Sequence, residues 1–182
     1  KKLRQMRDHG MEPRYYHKFV GGNFRMDAIQ AGVLNVKFTH LEAWHEARRT
    51  NARLYEKLFC EIGLAEETGK IAFDDANKVL LPAAIYQSSG VRNYHIYNQF
   101  IIRVERRDEL REFLKSQDIG AEIYYPVPFH RQECFQYLNL NDADYPVANF
   151  AAATSLALPI FPELSEDQIY FVVEKIAEFI RG

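Results

Sequence analysis

The stretch YHIYNQFIIRV, Tyr94 to Val104, decides the fold class. Aromatic and β-branched residues fill it, and neither proline nor glycine interrupts it, so it is the strongest strand of the chain. Working outward, RDELREFLKSQD (107–118) has the spacing of an amphipathic helix ended near Gly120, and AEIYYP (121–126) reads as a short strand stopped by Pro126. Upstream, KVLLPAAI (78–85) is a strand interrupted by Pro82 and hence an edge. FHRQECFQYL (129–138) and YPVANFAAATSLA (145–157) read as two short helices. The last helix opens with a capping box from Ser165 to Gln168 and buries Ile169, Val172, Val173, Ile176 and Phe179. The sum is a small α/β domain, with a sheet of about three strands covered by helices.

Before this domain the pattern is helical from Met26 to Ile62. Ile29, Val33, Val36, Leu41, Trp44, Ala47, Tyr55, Leu58 and Ile62 recur near multiples of a helical turn, and Gly63 ends the run. Such a helix would reach ~55 Å, so it is expected to bend or to bridge two bodies. Residues 64–77 read as a polar connection.

Composition bounds the function. The chain is 47% hydrophobic and 26% charged, with a net charge of −2, so no general field draws it to nucleic acid or to an anionic membrane. No apolar run approaches the ~20 residues of a membrane span. The basic opening KKLRQMR reads as a solvated helix face. Cys60 and Cys134 lie far apart without CxxC spacing, which points to reduced thiols and a cytoplasmic setting. The chain starts at Lys1 in charged text that reads as the interior of a protein, so a fragment is expected.

Several chemistries are absent from the pattern. His40 and His45 are five apart and do not share a helix face as an HExxH zinc pair would, so no metal site is expected. QSSG around Ser88 lacks the GxSxG elbow, and no glycine-rich nucleotide loop of the GxGxxG or GxxxxGK[ST] type occurs.

Three stretches remain. In GGNFRMDAIQAG (21–32), glycines allow close backbone approach, Asn23 offers a neutral amide donor and Arg25 a fork for phosphate or carboxylate, at the mouth of a helix. The same residues also read as ordinary helix capping by Asn23 with Arg25 paired to a nearby acid. In EIYYPVPFHRQ (122–132), Tyr124 and Tyr125 alternate faces, one toward the core and one toward a cleft, while Pro126 and Pro128 hold His130 in place. A packed strand end with a surface histidine is the plainer reading. His95 and Tyr97 share one strand face, and a half-buried histidine there is either a satisfied core residue or part of a site.

Taken in order, LRQMRDHGM, RYYHKFVGGNFRMDAIQAGVLNVKFTHLEAW, NYHIYNQFIIRV, LKSQDIGAEIYYPVPFHRQECF and YPVANFAAATSLALPIFPELSEDQIYFVVEKI resemble the PLP-dependent nucleotide-sugar aminotransferases of the DegT/DnrJ/StrS group. The resemblance covers essentially the whole chain and implies the C-terminal portion of a fold-type I enzyme. Residues 1–25 would end the large PLP-binding domain and form the hinge, and residues 26–182 would supply the long interdomain helix and the small domain. It further implies pyridoxal 5'-phosphate as cofactor and a homodimer with shared active sites. An amino group would pass from a donor such as glutamate to a nucleotide-linked keto sugar, for amino-sugar or surface polysaccharide biosynthesis.

By the same resemblance Asn23 would reach the cofactor phosphate of the neighbouring subunit. Arg25, His95, Tyr124, Tyr125 and His130 would face the substrate. Many family members carry histidine where this sequence has Tyr124, and a phenol stays neutral where imidazole can take a proton. The lysine that carries the cofactor in this family, and the aspartate that pairs with its ring nitrogen, fall before Lys1, so the fragment alone is expected to be inactive. Two alternatives stay open: a PMP-dependent sugar dehydratase of the same family, and a non-catalytic module that binds a sugar nucleotide or a protein.

Overall fold

The structure, a computed structural model, describes residues 1–182. It forms two compact units, Lys1–Glu42 and Ala43–Gly182. No helix is long and apolar enough to cross a membrane.

The first unit opens with helix α1 (Lys2–Arg7) and continues through a looped segment closed by single antiparallel bridges, Asp8 to Asn23 and Met11 to His17. It carries a solvent-accessible ion cluster. Glu12 accepts from Lys1 at 2.8 Å and Lys18 at 3.0 Å, and also from Gln5. The hydrogen bonds from Lys1 and then Lys18 hold the Glu12 carboxyl down to about 2. Helix α2 (Ala28–Phe38) follows, capped by Asp27, whose side chain accepts from the Ile29 and Gln30 amides. It buries no residue, and Ile29, Val33, Leu34, Val36 and Phe38 stand in solvent.

The long helical pattern is thus built in two pieces. Thr39 turns its hydroxyl back to the Val36 carbonyl at 2.8 Å, and the His40 amide donates to Lys37 at 3.0 Å. That local bonding tightens the backbone and ends α2, and helix α3 (Leu41–Glu61) restarts at once. Helical periodicity continues across the break because only two residues separate the helices.

In the second unit α3 leads through an irregular stretch to strand β1 (Phe100–Arg103), helix α4 (Arg107–Ser116), helix α5 (Pro146–Thr154), strand β2 (Ser155–Leu158) and helix α6 (Glu166–Arg181). β1 and β2 pair antiparallel, with Phe100 opposite Leu158 and Arg103 opposite Ser155. Single bridges extend the ladder on both sides, Leu80 to Arg103 and Glu122 to Ala157. The three strands read from the sequence therefore reduce to one full strand and two flanking bridges, and the second full strand is SLAL, which the sequence assigned to a helix. The Thr154 hydroxyl bonds back to the Phe150 carbonyl at 2.6 Å and closes α5 there. Four apolar-leaning residues are too few for periodicity to separate strand from helix.

The inner face of the sheet carries Phe100, Ile102, Leu156 and Leu158, all buried. They join one core with Tyr55 and Phe59 of α3, Leu110 and Leu114 of α4, and Ile169, Val172, Val173 and Ile176 of α6. Tyr55 stacks on Phe100 at 5.0 Å and donates to the Pro159 carbonyl. The capping box at Ser165 and Gln168 forms as the sequence predicts. Because side chains alternate along a strand, burial of Phe100 and Ile102 turns Ile101 and Arg103 to the opposite, outer face. That outer face positions the candidate site.

Candidate functional site

Among the clefts around the outer face, three form a row joined by shared walls. The largest, 710 Å³, is lined by Tyr124, Tyr125, Pro126, Phe129, Ala151 and Ser155 among others. A second, 220 Å³, runs beside Tyr124, Glu122 and Ala157 to Asn98 and Gln99. The third, 490 Å³, is bounded by Pro82, Asn93, His95, Tyr97, Asn98 and Ile101. Tyr124 divides the first from the second, and Asn98 and Gln99 divide the second from the third. The structure therefore brings His95, Tyr124 and Tyr125 onto one connected surface.

Neither tyrosine enters the core, contrary to the alternation expected from the sequence. Regular pairing ends at the Glu122–Ala157 bridge, so strand alternation no longer applies beyond it. Both rings line the large cleft, edge to face at 5.6 Å, and offer phenol hydroxyls along an otherwise apolar wall.

The strand expected from Tyr94 begins only at Phe100. Tyr97 sits at φ 45° and donates its amide to His95 Nδ1 at 3.0 Å, a local bond that replaces the ladder. The two rings lie 4.1 Å apart. Tyr97 is buried and its hydroxyl donates to Glu56 at 3.2 Å. Burial pushes the His95 imidazole below its ordinary value, so it is neutral at pH 7. With Nδ1 accepting, the ring proton of neutral His95 resides on Nε2, a hydrogen-bond donor.

His130 stands apart from this surface. Its ring stacks on Tyr145 at 4.4 Å, its Nε2 meets Asp142 at 2.9 Å, and its side chain is 5% exposed. Arg131 grips the same carboxylate with Nε and Nη2, and that bond, then the one from His130, holds Asp142 well below the usual carboxylate range. In this arrangement His130 braces the loop after the two prolines.

In the first unit Asn23 does not cap α2, since Asp27 does. Instead Asn23 Oδ1 accepts from the Arg25 amide at 3.3 Å and from Arg25 Nε at 3.1 Å, and Arg25 Nε also lies 3.5 Å from Asp8. The turn is held from behind by close backbone packing: a Cβ on Gly21 would fall 2.6 Å from the Gly10 amide nitrogen and 2.8 Å from the Met6 carbonyl oxygen. Both side chains are exposed. With Oδ1 committed to Arg25, the group left over on the exposed Asn23 amide is Nδ2, a donor, on a residue bonded to a guanidinium. A phosphate accepts from that pairing of donors, so the residues fit the anionic end of pyridoxal phosphate.

One residue that sequence reading missed shapes the site. Arg107, in the first turn of α4, is buried and donates Nη1 to the carbonyls of Ala152 and Ser155, each at 3.0 Å. It fastens the α5–β2 corner, and with it one wall of the large cleft. A basic residue in the first turn opposes the helix dipole, which is the signal that could have drawn notice. Cys60 and Cys134 are both free thiols.

Fold and site define a small α/β unit that presents a tyrosine-lined cleft, accompanied by a separate unit with an amide–guanidinium turn. Comparison with known proteins places them: the chain belongs to the DegT/DnrJ/EryC1/StrS aminotransferase family, whose model matches residues 1–177. It is 43% identical to a pleiotropic regulatory protein of Geobacillus stearothermophilus, over 99% of this chain and 44% of that protein. It is 33% identical to a UDP-N-acetyl-3-dehydro-alpha-D-glucosamine 3-aminotransferase of Acidithiobacillus ferrooxidans, over 100% of this chain and 43% of that enzyme. Among solved structures, DesV of S. venezuelae superposes with a TM-score of 0.80 at 29% identity, covering 98% of this chain and 43% of DesV. The chain thus spans less than half the length of these relatives.

Proposed function

We propose that the intact protein carrying this sequence is a pyridoxal phosphate-dependent aminotransferase that moves an amino group from a donor such as glutamate to a nucleotide-linked keto sugar, in the cytoplasm. Family membership across the chain supports this reading, as do relatives whose names specify amino-sugar transamination. The observation that carries it is the exposed Asn23, whose Oδ1 is taken by Arg25 and whose Nδ2 is therefore the donor left over, on a turn that does not cap the helix.

Bound pyridoxal phosphate would supply the electron sink for moving the amino group. Asn23 and Arg25 would hold its phosphate or a substrate anion, and the solvent-exposed apolar residues of α2 support a homodimer in which that turn serves a neighbouring subunit. His95 would donate from Nε2 to a sugar oxygen, and Tyr124 and Tyr125 would pack against the sugar while excluding water. Tyr124 brings a phenol hydroxyl that can donate to or accept from a sugar oxygen.

Asn23→Ala tests the reading. Loss of one hydrogen bond to a charged group is expected to weaken pyridoxal phosphate retention by ~10-fold or more in equilibrium dialysis. Helix content should stay unchanged, because Asp27 is the cap. Unchanged retention would refute the assignment. The regulatory name of the 43% identical relative favours a second reading, a non-catalytic module, and that reading predicts unchanged retention.

A further inference from the structure

Arg103 is the one residue of β1 whose chemistry the fold leaves unspent. It projects from the outer face, half-buried, and no carboxylate pairs with it. The Phe150 ring lies 5.3 Å from the guanidinium carbon, and Phe150 is itself held edge to face by Phe73 at 5.6 Å. The guanidinium lies over the face of that ring, and its N–H groups meet no protein acceptor. Arg103 lines a cleft of 370 Å³ whose other walls include Lys70, Leu80, Pro82, Ile101 and Ser155 and no carboxylate residue. Lys70 is balanced by Glu67 at 3.1 Å and Glu66 at 3.8 Å, so the uncompensated charge of the cleft is that of Arg103.

Such a placement is costly without a partner. A half-buried guanidinium with unused donors, over an apolar floor that strengthens any charge interaction, is a ready receptor for an anion. Its position matters too. The cleft shares Ser155 with the tyrosine-lined cleft, and Pro82 and Ile101 with the His95 cleft. An anionic group bound here would be joined to whatever occupies the sugar surface.

We propose that Arg103, with Lys70 at its rim, is an anion subsite of the same surface, receiving a phosphate or carboxylate group of a substrate. The assignment deepens the aminotransferase reading and names two sources for the anion: the diphosphate of a nucleotide-linked sugar, or the carboxylates of the amino donor. The fork geometry of arginine favours a group with two oxygens side by side, and either source supplies one.

The test is titration of inorganic pyrophosphate into the intact protein, already saturated with pyridoxal phosphate, followed by calorimetry. Arg103→Gln is expected to weaken pyrophosphate binding by ~10-fold or more, with Lys70→Gln having a smaller effect. Equal affinity for wild type and Arg103→Gln, with the circular dichroism unchanged, overturns the subsite. Should Arg103→Gln fail to fold, Arg103→Lys keeps stem and charge but loses the fork. Weaker pyrophosphate binding by that variant supports the subsite, and wild-type affinity overturns it. Displacement of pyrophosphate by uridine diphosphate but not L-glutamate assigns the anion to the nucleotide, and the reverse assigns it to the donor. Arg103-dependent binding in a protein that fails to transaminate would keep the subsite and remove the aminotransferase reading.

Discussion

Arg107→Ala should unfold the corner on which the large cleft depends. The wild-type side chain is 7% exposed and donates two charge-assisted bonds from Nη1, to Ala152 and Ser155, while Nε bonds Asp108 at 2.7 Å. Each bond from a charged donor to a carbonyl is worth ~1.5–3 kcal/mol net, so the pair contributes ~3–6 kcal/mol. Relief of the buried guanidinium's desolvation offsets part of that, and the Asp108 contact is exposed and adds little. A net loss of ~3–4 kcal/mol follows. With a urea dependence of ~2 kcal/mol per molar, the unfolding midpoint should fall by ~1.5–2 M. Arg107→Lys, which keeps a charge but not the reach of the fork, should fall between. Urea titration followed by circular dichroism reads all three proteins. A loss below ~1 kcal/mol for Arg107→Ala would show that the corner holds without the arginine, and the explanation of how β2 is set would fail.

Gly21→Ala places a methyl against backbone atoms of Gly10 and Met6 that cannot move aside, so the Asn23 turn should shift. The first unit should lose ~1–3 kcal/mol, and pyridoxal phosphate retention should weaken with it; full retention would contradict the turn's role. His95 predicts a pH effect of definite sign. Burial lowers its pKa in the fold, so below ~6.5 the unfolded chain binds more protons than the folded one, and stability falls as pH drops through that window. Melting temperatures of wild type and His95→Gln between pH 5 and 8 should converge in slope above ~6.5 and part below it; parallel profiles would contradict the burial argument.

The sequence made some elements legible and hid others for identifiable reasons. α6 was readable because a capping box and five apolar positions agreed on one face. α4 was readable for the same amphipathic reason. β2 was hidden, since SLAL is short and follows a helix without a glycine or proline to mark the change. β1 was read too long, because aromatic content says nothing of the bond from the Tyr97 amide to His95 that delays the ladder. The order of motifs singles out His95, Tyr124 and Tyr125, and only the fold shows that the clefts they line connect. The ambiguity at Asn23 came from a real competition between capping and anion binding, and Asp27, four residues on, decides the cap. Arg103 and Arg107 were invisible as partners because their significance lies in what they bond, or leave unbonded, across 45 residues or more of chain.

The transamination reading meets its most direct test in a half-reaction. The intact protein, loaded with pyridoxal phosphate and freed of excess, is mixed with L-glutamate alone, and the bound cofactor and the released keto acid are measured by mass spectrometry. The account predicts conversion to pyridoxamine phosphate with one equivalent of 2-oxoglutarate per site, and reversal on adding a nucleotide-linked keto sugar. Cofactor that remains pyridoxal phosphate with every amino donor, or is not retained at all, would contradict it.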